Sequence, residues 1–280
     1  RFDGHNFVAE VARKNVAAVV VNRRRLGGPV SGAAVIAVED SRQALGALAA
    51  RYRRNFDLPV VAVGGSNGKT TTKELLASVL AQKFVTLRSE ASFNNDIGVP
   101  VTLLQLEARH QAAVLEVGTN HPGELAPLVR MVRPRFGAVT SIGNEHLEFF
   151  GDLAGVAHEE GWLAELLPAD GKLFVNGDSA AAAGIVARTS ARVERVGCGA
   201  DCDWRADDVR VDFGGTTFRV MAARSEFSGE YRLQLLGRHQ AVNALLALAV
   251  GAELGLDREH LQRGLAACPP PKMRLQPWQV

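Results

Sequence analysis

Residues 64–70, Gly-Gly-Ser-Asn-Gly-Lys-Thr, have the composition and spacing of a phosphate cradle. Glycines let backbone N–H groups approach an anion with no Cβ in the way. In such a loop Gly65, Ser66, Asn67 and Gly68 supply the cradle and Lys69 reaches the terminal phosphates. Thr70 carries a hydroxyl that can ligate Mg²⁺, and Thr71 continues the loop into a helix. The apolar run Leu58 to Val63 reads as a buried strand, and residues 69–82 as an amphipathic helix whose N-terminus adds partial positive charge. That strand–loop–helix context separates the motif from an ordinary glycine turn. The position five residues before Gly68 is Val63 rather than glycine, so this is a short form of the phosphate-binding loop (P-loop).

Other polar residues fall where apolar runs end. Glu116 follows the run Ala112 to Leu115, and a carboxylate at the end of a second parallel strand suits Mg²⁺, which needs few protein oxygens and keeps several waters. His146 follows a third run, 136–141, beside Glu145 and Glu148, and reads either as a metal or phosphate ligand or as a structural histidine. His121 reads equally as a functional residue or as a helix-capping or loop histidine. Asn94 and Asn95 lie in a polar loop before Val99-Pro100, where amides suit phosphate and sugar contacts or simple turn formation. Asn243 stands near the first turn of an apolar helix and could read a base edge.

These positions need a scaffold that gathers strand ends. Strands are expected at 58–63, 83–87, 112–117, 136–141, 172–175 and 193–197, and helices at 69–82, 98–106, 123–132, 152–167 and 179–188. Their alternation predicts an α/β fold with a mostly parallel sheet covered by helices on both faces, and ligands at the carboxyl ends of its strands. Alternating apolar residues around Gly214-Gly215, then Tyr231, Leu233 and Leu235, predict a small antiparallel sheet appended to it. Two helices, 239–254 and 258–266, follow. Before residue 58, short strands at 16–21 and 33–38 and a helix at 41–55 suggest part of a small α/β N-terminal domain.

Composition narrows the class. With 280 residues, 47% apolar and 22% charged, the chain has the make-up of a globular protein of one large or two modest domains. A net charge of +2 does not suggest a nucleic-acid binder, and the run Arg23-Arg24-Arg25 reads as a solvated loop. No apolar run approaches the length of a membrane span and no signal peptide is visible, so a cytoplasmic protein is expected. Cys198, Cys202 and Cys268 form no zinc or disulfide pattern and read as reduced thiols. The chain opens on Arg1 rather than Met and reads as a segment of something longer.

Six ordered segments carry a resemblance: RFDGHNFV (1–8), GGSNGKTTTKE (64–74), NNDIGVPVTLL (94–104), LEVGTNHPGEL (115–125), IGNEHLEFFG (142–151) and GRHQAVNALLALA (237–249). The chain resembles the Mur ligase family, most of all the members that add D-alanyl-D-alanine. The resemblance implies part of an N-terminal UDP-sugar domain over residues 1–42, a connecting helix at 43–57 and a central ATP-binding domain over 58–280, with a C-terminal domain not included. It implies a monomer that uses ATP and Mg²⁺ to join D-Ala-D-Ala to UDP-MurNAc-tripeptide through an acyl phosphate. Lys69 would clamp the β- and γ-phosphates, Thr70, Glu116 and His146 would hold metal, and Asn243 would read adenine. Arg274 would touch ATP phosphate, and Asn94, Asn95, Thr119 and Asn120 would contact substrate.

There are departures from the family pattern. A lysine, often carbamylated, is usual in the helix after the histidine motif, and Glu160 stands at that position. The expectation is that Glu160 supplies the negative charge directly. Gln240 replaces a usual asparagine, and Lys272-Met273 replace the usual residues before the arginine. A sister ligase adding a diamino acid, a P-loop switch or kinase, and a nucleotide-binding segment without catalysis stay open as alternatives. The isolated segment is expected to be inactive.

Overall fold

A computed structural model describes residues 3–270. A short helix α1 (Val8–Ala12) precedes strands β1 (Ala18–Asn22) and β2 (Ala34–Val38), which pair in parallel as a separate two-stranded sheet. Helix α2 (Ser41–Arg53) follows, started by Asp40, whose carboxylate accepts the N–H groups of Arg42 and Gln43. The sequence suggested a connecting helix. In the fold it lies against the main domain, with the Tyr52 hydroxyl on the Leu106 carbonyl at 2.8 Å and buried Arg53 donating to the Val132 carbonyl at 3.0 Å.

The main domain then alternates: β3 (Val60–Gly64), α3 (Lys69–Leu80), β4 (Thr86–Arg88), α4 (Gly98–Leu103), β5 (Ala112–Glu116), α5 (Leu125–Val132) and β6 (Phe136–Val139). After α6 (Leu147–Phe150), α7 (Leu153–Glu160) and α8 (Trp162–Glu165) come β7 (Lys172–Asn176), α9 (Ala182–Val186) and β8 (Arg192–Gly197). The chain finishes with β9 (Trp204–Asp212), β10 (Gly215–Ala222), β11 (Gly229–Leu233), α10 (His239–Glu253) and α11 (Arg258–Ala267). Strand order is β11-β10-β9-β8-β7-β6-β3-β5-β4. From β4 to β9 all pairs are parallel, and β10 and β11 add on antiparallel. The antiparallel part is continuous with the parallel part, because Val196 and Gly197 pair with Trp204 and Arg205.

The β-branched run of β3 explains its central place. Val61 and Val63 enter one core, with α3, α10 and α11, while Val60 and Ala62 enter the other, with α2, α4, α5 and α8. A strand buried on both faces reads as continuous apolar sequence. Helix α10 is apolar nearly all round because the sheet, α3 and α11 enclose it. After β3 the chain goes to β4 and β5 on one side, then crosses to β6 on the other. The strand order reverses next to β3, which is where open α/β sheets leave a crevice at their carboxyl ends.

The expected helix 152–167 is two helices, broken at Gly161. The expected strand 83–87 is shorter and later, because Lys83 and Phe84 N–H groups still bond the Leu80 carbonyl at the end of α3. The segment containing Arg274 lies outside the described residues. Among those described, no helix is long and apolar enough to cross a membrane.

Helices α3 and α11 approach closely at Gly264, where an added Cβ would sit 2.5 Å from the Val79 Cα and 3.1 Å from the Ser78 carbonyl oxygen. Gly264→Ala gains at most about 1 kcal/mol of helix propensity but overpacks against backbone, at about 1–3 kcal/mol. The expected outcome is a net loss, measured as a lower midpoint in thermal or urea unfolding.

Candidate active site

The P-loop turns because two of its glycines take left-handed backbone angles. Gly65 has φ +107° and Gly68 φ +91°, and a Cβ on either would lie 2.5 Å from a neighbour, Thr140 Oγ1 and Asn243 Oδ1 respectively. The first α-helical bond of α3 runs from Thr72 N–H to the Gly68 carbonyl at 2.8 Å. The N–H groups of Lys69, Thr70 and Thr71 are therefore left without intrahelical acceptors at a positive helix end.

The segment after β6 closes one side of this loop. Ser66 N–H donates to the Ser141 carbonyl at 2.6 Å, and Gly143 N–H donates to Ser66 Oγ at 2.9 Å. Asn67 exchanges bonds with the Ser141 hydroxyl at 3.3 and 3.1 Å. Lys69 Nζ lies across the loop, donating to the carbonyls of Gly65 at 2.5 Å and Ser66 at 2.8 Å, with Glu145 Oε1 at 3.4 Å. His146 follows directly, half-buried, in a left-handed conformation (φ 53°) that starts α6. Lys69 and the segment that carries His146 therefore meet through Glu145.

Glu116 ends β5, the neighbour of β3 on its other side. Its carboxylate is buried; Oε1 accepts from Asn94 Nδ2 at 2.8 Å, and its backbone N–H donates to Ser89 Oγ at 3.1 Å. Asn95 is used differently: its Oδ1 accepts the N–H groups of Ile97 and Gly98 at the start of α4. Turn formation, which the bare sequence also allowed, accounts for that residue here. Thr119 bonds the His121 carbonyl at 2.7 Å, and Asn120 and His121 N–H groups converge on Glu124 Oε2. The exposed His121 ring rests on Phe149 at 4.2 Å between centroids. Beside this loop, between α2 and α5, opens a cleft of about 830 Å³ whose lining includes Arg42, Asn95, Asp96, Asn120, His121 and Glu124.

Helix α7 reaches both strand-end loops with consecutive glutamates. Glu159, buried, accepts from Gly123 N–H at 3.0 Å and Leu125 N–H at 2.9 Å. Glu160 Oε2 accepts from Gly65 N–H at 2.6 Å in the P-loop itself. Burial pushes the Glu160 carboxyl up to about 7, against the opposing pull of the Lys69 ammonium and the Gly65 N–H. Sequence reasoning found Glu160 but not Glu159. The signal was two adjacent acids in an otherwise apolar helix, which leaves at least one of them facing the core.

Asn243 lies under the loop, not at an open edge. Its Nδ2 donates to Gln240 Oε1 at 2.8 Å, and its Oδ1 accepts from the Thr72 hydroxyl at 3.4 Å. Lys73 is a further missed residue: wholly buried one turn after Lys69, it bonds the Ser89 and Ala91 carbonyls. Its sequence signal is its place in line with Leu76, Ala77 and Leu80 on the apolar stripe of α3.

Among the described residues, no group of three or more His, Cys, Asp or Glu side chains stands ready for a metal. Two buried carboxylate oxygens, Glu116 Oε2 and Glu160 Oε1, nevertheless have no hydrogen-bond partner. Buried anionic oxygen left unpaired is costly. Hard oxygen donors beside a polyphosphate cradle fit Mg²⁺, which completes its shell with water and phosphate.

A model of the Mur ligase middle domain matches residues 63–251. The UDP-N-acetylmuramoyl-tripeptide–D-alanyl-D-alanine ligase of Bacillus subtilis is 34% identical over 276 residues, which are 99% of this chain and 59% of that protein. A crystal structure of MurF from Acinetobacter baumannii superposes with a TM-score of 0.90 at 34% identity, over 100% of this chain and 60% of that one. The MurF ligase of Thermotoga maritima in complex with ADP superposes at 0.83 with 27% identity, over 94% and 60%. The chain thus spans about six tenths of the length of the relatives it matches.

Between about pH 4.5 and about 7 the folded protein keeps on Glu160 a proton that the unfolded chain has released. Its contribution to stability is full below that window and is lost as pH rises through it. Glu160→Gln mimics the protonated form. Its unfolding midpoint should match that of the unaltered protein near pH 4.5 and exceed it by a few degrees at pH 8. Thermal denaturation at the two pH values measures the difference.

Proposed function

The chain belongs to the Mur ligase family, and from that membership we propose that it is the nucleotide-handling part of an ATP-dependent ligase joining D-Ala-D-Ala to UDP-MurNAc-tripeptide. The carrying observation is Lys69 stationed over a left-handed glycine loop at the start of α3. The similarity to D-alanyl-D-alanine ligases over nearly the whole chain supports the choice of member, and the ADP complex of one such neighbour supports ATP as the nucleotide. The division at residues 1–42, 43–57 and 58–280 is kept as part of the proposal, with α2 docked on the central domain.

The chemistry is phosphoryl transfer followed by acyl transfer. A carboxylate oxygen of the tripeptide attacks the γ-phosphorus of ATP and ADP leaves, giving an acyl phosphate. The amine of D-Ala-D-Ala then attacks the acyl carbon, loses a proton, and phosphate departs. Such transfers are catalysed chiefly by positioning and charge neutralisation. The α3 N-terminus and Lys69 would hold the β- and γ-phosphates. The three oxygens now around the Lys69 ammonium, two loop carbonyls and Glu145, match its three donors, so an arriving phosphate has to displace one of them.

Mg²⁺ would neutralise charge on the phosphate oxygens. Thr70 and Glu116 would hold one ion and His146 would help hold a second, with Glu160 adding negative charge beside the loop. The orphaned Glu116 Oε2 and Glu160 Oε1 support those assignments. Glu160 needs no carbamylation to be anionic, although burial opposes its ionisation until a cation is near. Asn243 would act through the loop floor before any base contact, since its amide is engaged there. The cleft lined by Asn95, Asn120 and His121 is the proposed place for the peptide arm of the UDP-sugar, and Asn94 and Thr119 next to them in the chain are proposed to contact the same substrate.

The full-length protein, given ATP, Mg²⁺ and UDP-MurNAc-tripeptide, should release phosphate when D-Ala-D-Ala is added and not when a diamino acid is added to the dipeptide precursor. The reverse pattern would assign the sister ligase. Lys69→Ala should lower that turnover by about 10³-fold or more, read by coupled phosphate release.

A further inference from the structure

The P-loop helix carries a second lysine whose surroundings point away from phosphate and toward Glu116. Lys73 is wholly buried. Its ammonium has three donors and three oxygen partners: the Ser89 carbonyl at 2.9 Å, the Ala91 carbonyl at 2.5 Å and Glu74 Oε1 at 2.8 Å. Both carbonyls belong to the segment that leaves β4, and Ala91 is held there in a left-handed conformation (φ 45°) that alanine disfavours.

That same segment grips Glu116. Ser89, besides receiving Lys73, accepts the Glu116 N–H on its hydroxyl at 3.1 Å. Three residues past Ala91, Asn94 donates to Glu116 Oε1 at 2.8 Å, and its carbonyl accepts Gly118 N–H at 2.9 Å. The other carboxylate oxygen, Oε2, is buried and unpartnered. One helix thus presents Lys69 and Thr70 in its first turn and, one turn later, fastens the loop that orients the carboxylate on the next strand.

We propose that Lys73 is a positioning residue: through the 89–95 loop it fixes Glu116 so that one oxygen is tied to Asn94 and the other is left free for a divalent cation bound with nucleotide. The inference rests on the nucleotide-site reading above and adds a residue to it. Lys73 touches neither phosphate nor cation. It sets the spacing between the α3 N-terminus and Glu116, the two places that would hold such a cation. An uncharged side chain of similar length would leave the buried Ser89 carbonyl without this donor and remove the bond to Ala91, and the loop would loosen.

The test uses the full-length protein, Mn²⁺ as the cation and ADP as the nucleotide. Lys73→Met and Asn94→Ala should each weaken Mn²⁺ binding to the ADP complex by about tenfold in calorimetry, while metal-free ADP affinity changes less than twofold. The double variant should be no weaker than the weaker-binding single one. Gly118→Ala reaches the same network without touching the buried ammonium, because its Cβ would sit 2.8 Å from Asn94 Nδ2. It should reproduce the Asn94→Ala effect, and it decides the point if Lys73→Met does not fold. Amide exchange at residues 89–95 and Glu116 should rise in Lys73→Met. Unchanged Mn²⁺ affinity in folded Lys73→Met, or effects that multiply in the double variant, would overturn the proposal. Were the unaltered protein to hold no ADP, the nucleotide reading would fall, and the exchange measurement alone would decide whether Lys73 fixes Glu116.

Discussion

Strand β3 is sealed on both faces, so the one place its chain can offer polar atoms is where it stops. The sequence of the turn follows from that constraint. Leaving β3 and entering α3 within a few residues takes left-handed angles at Gly65 and Gly68, which would cost an L-residue roughly 1–2 kcal/mol each. The same turn lies so close to Thr140 and Asn243 that a side chain would collide. Conformation and space both demand glycine, and the helix end that results carries backbone donors with nothing inside the helix to bond. The anion site is thus a consequence of burying a strand and ending it abruptly.

Around that end the charges are opposed, and their surroundings decide how they balance. Lys69 meets carbonyls and Glu145 at a half-buried position, where the Coulomb gain is moderate and the ammonium stays solvated in part. Glu160 is buried, and desolvation outweighs the attraction of Lys69, so its carboxyl takes up a proton more readily than a free glutamate. Glu116 keeps one oxygen on an amide donor and one on nothing. A polyphosphate and a divalent cation are opposite in sign to the donors and carboxylates that await them. The unpaired donors and carboxylate oxygens that cost the fold energy are the same groups that would pair with such ions.

Much of this was legible in the sequence where the signal is local. Continuous apolar runs gave the buried strands, the glycine loop with Lys69 and Thr70 gave the cradle, and the polar residues after each run marked the carboxyl edge. Boundaries were less legible. The break at Gly161 in the expected 152–167 helix fits a position where a side chain would meet Arg188 and the Ala157 carbonyl, contacts that no local pattern announces. Side-chain duties were the least legible. Asn94 and Asn95 are neighbours of identical type, yet one holds the buried Glu116 carboxylate and the other closes the turn that leads into α4. Only the position of Glu116 on the adjoining strand separates them.

Glu159 and Glu160 show a kind of contact that sequence does not announce. Each accepts backbone N–H groups, from the 123–125 turn and from the P-loop respectively. Backbone donors leave no mark on the partner's sequence, so no pairing of residue types betrays the contact. Because the two glutamates are consecutive on α7, a shift of that helix must move both strand-end loops together. Lys73 holds a loop from the other face of the sheet, there by donating to backbone carbonyls. The strand-end loops are therefore held by buried charges on helices as well as by bonds to one another. Buried charges tolerate displacement poorly, since each ångström away from a partner exposes an uncompensated ion to a low-dielectric interior. That intolerance adds to the direct loop-to-loop bonds in keeping the loops in one geometry.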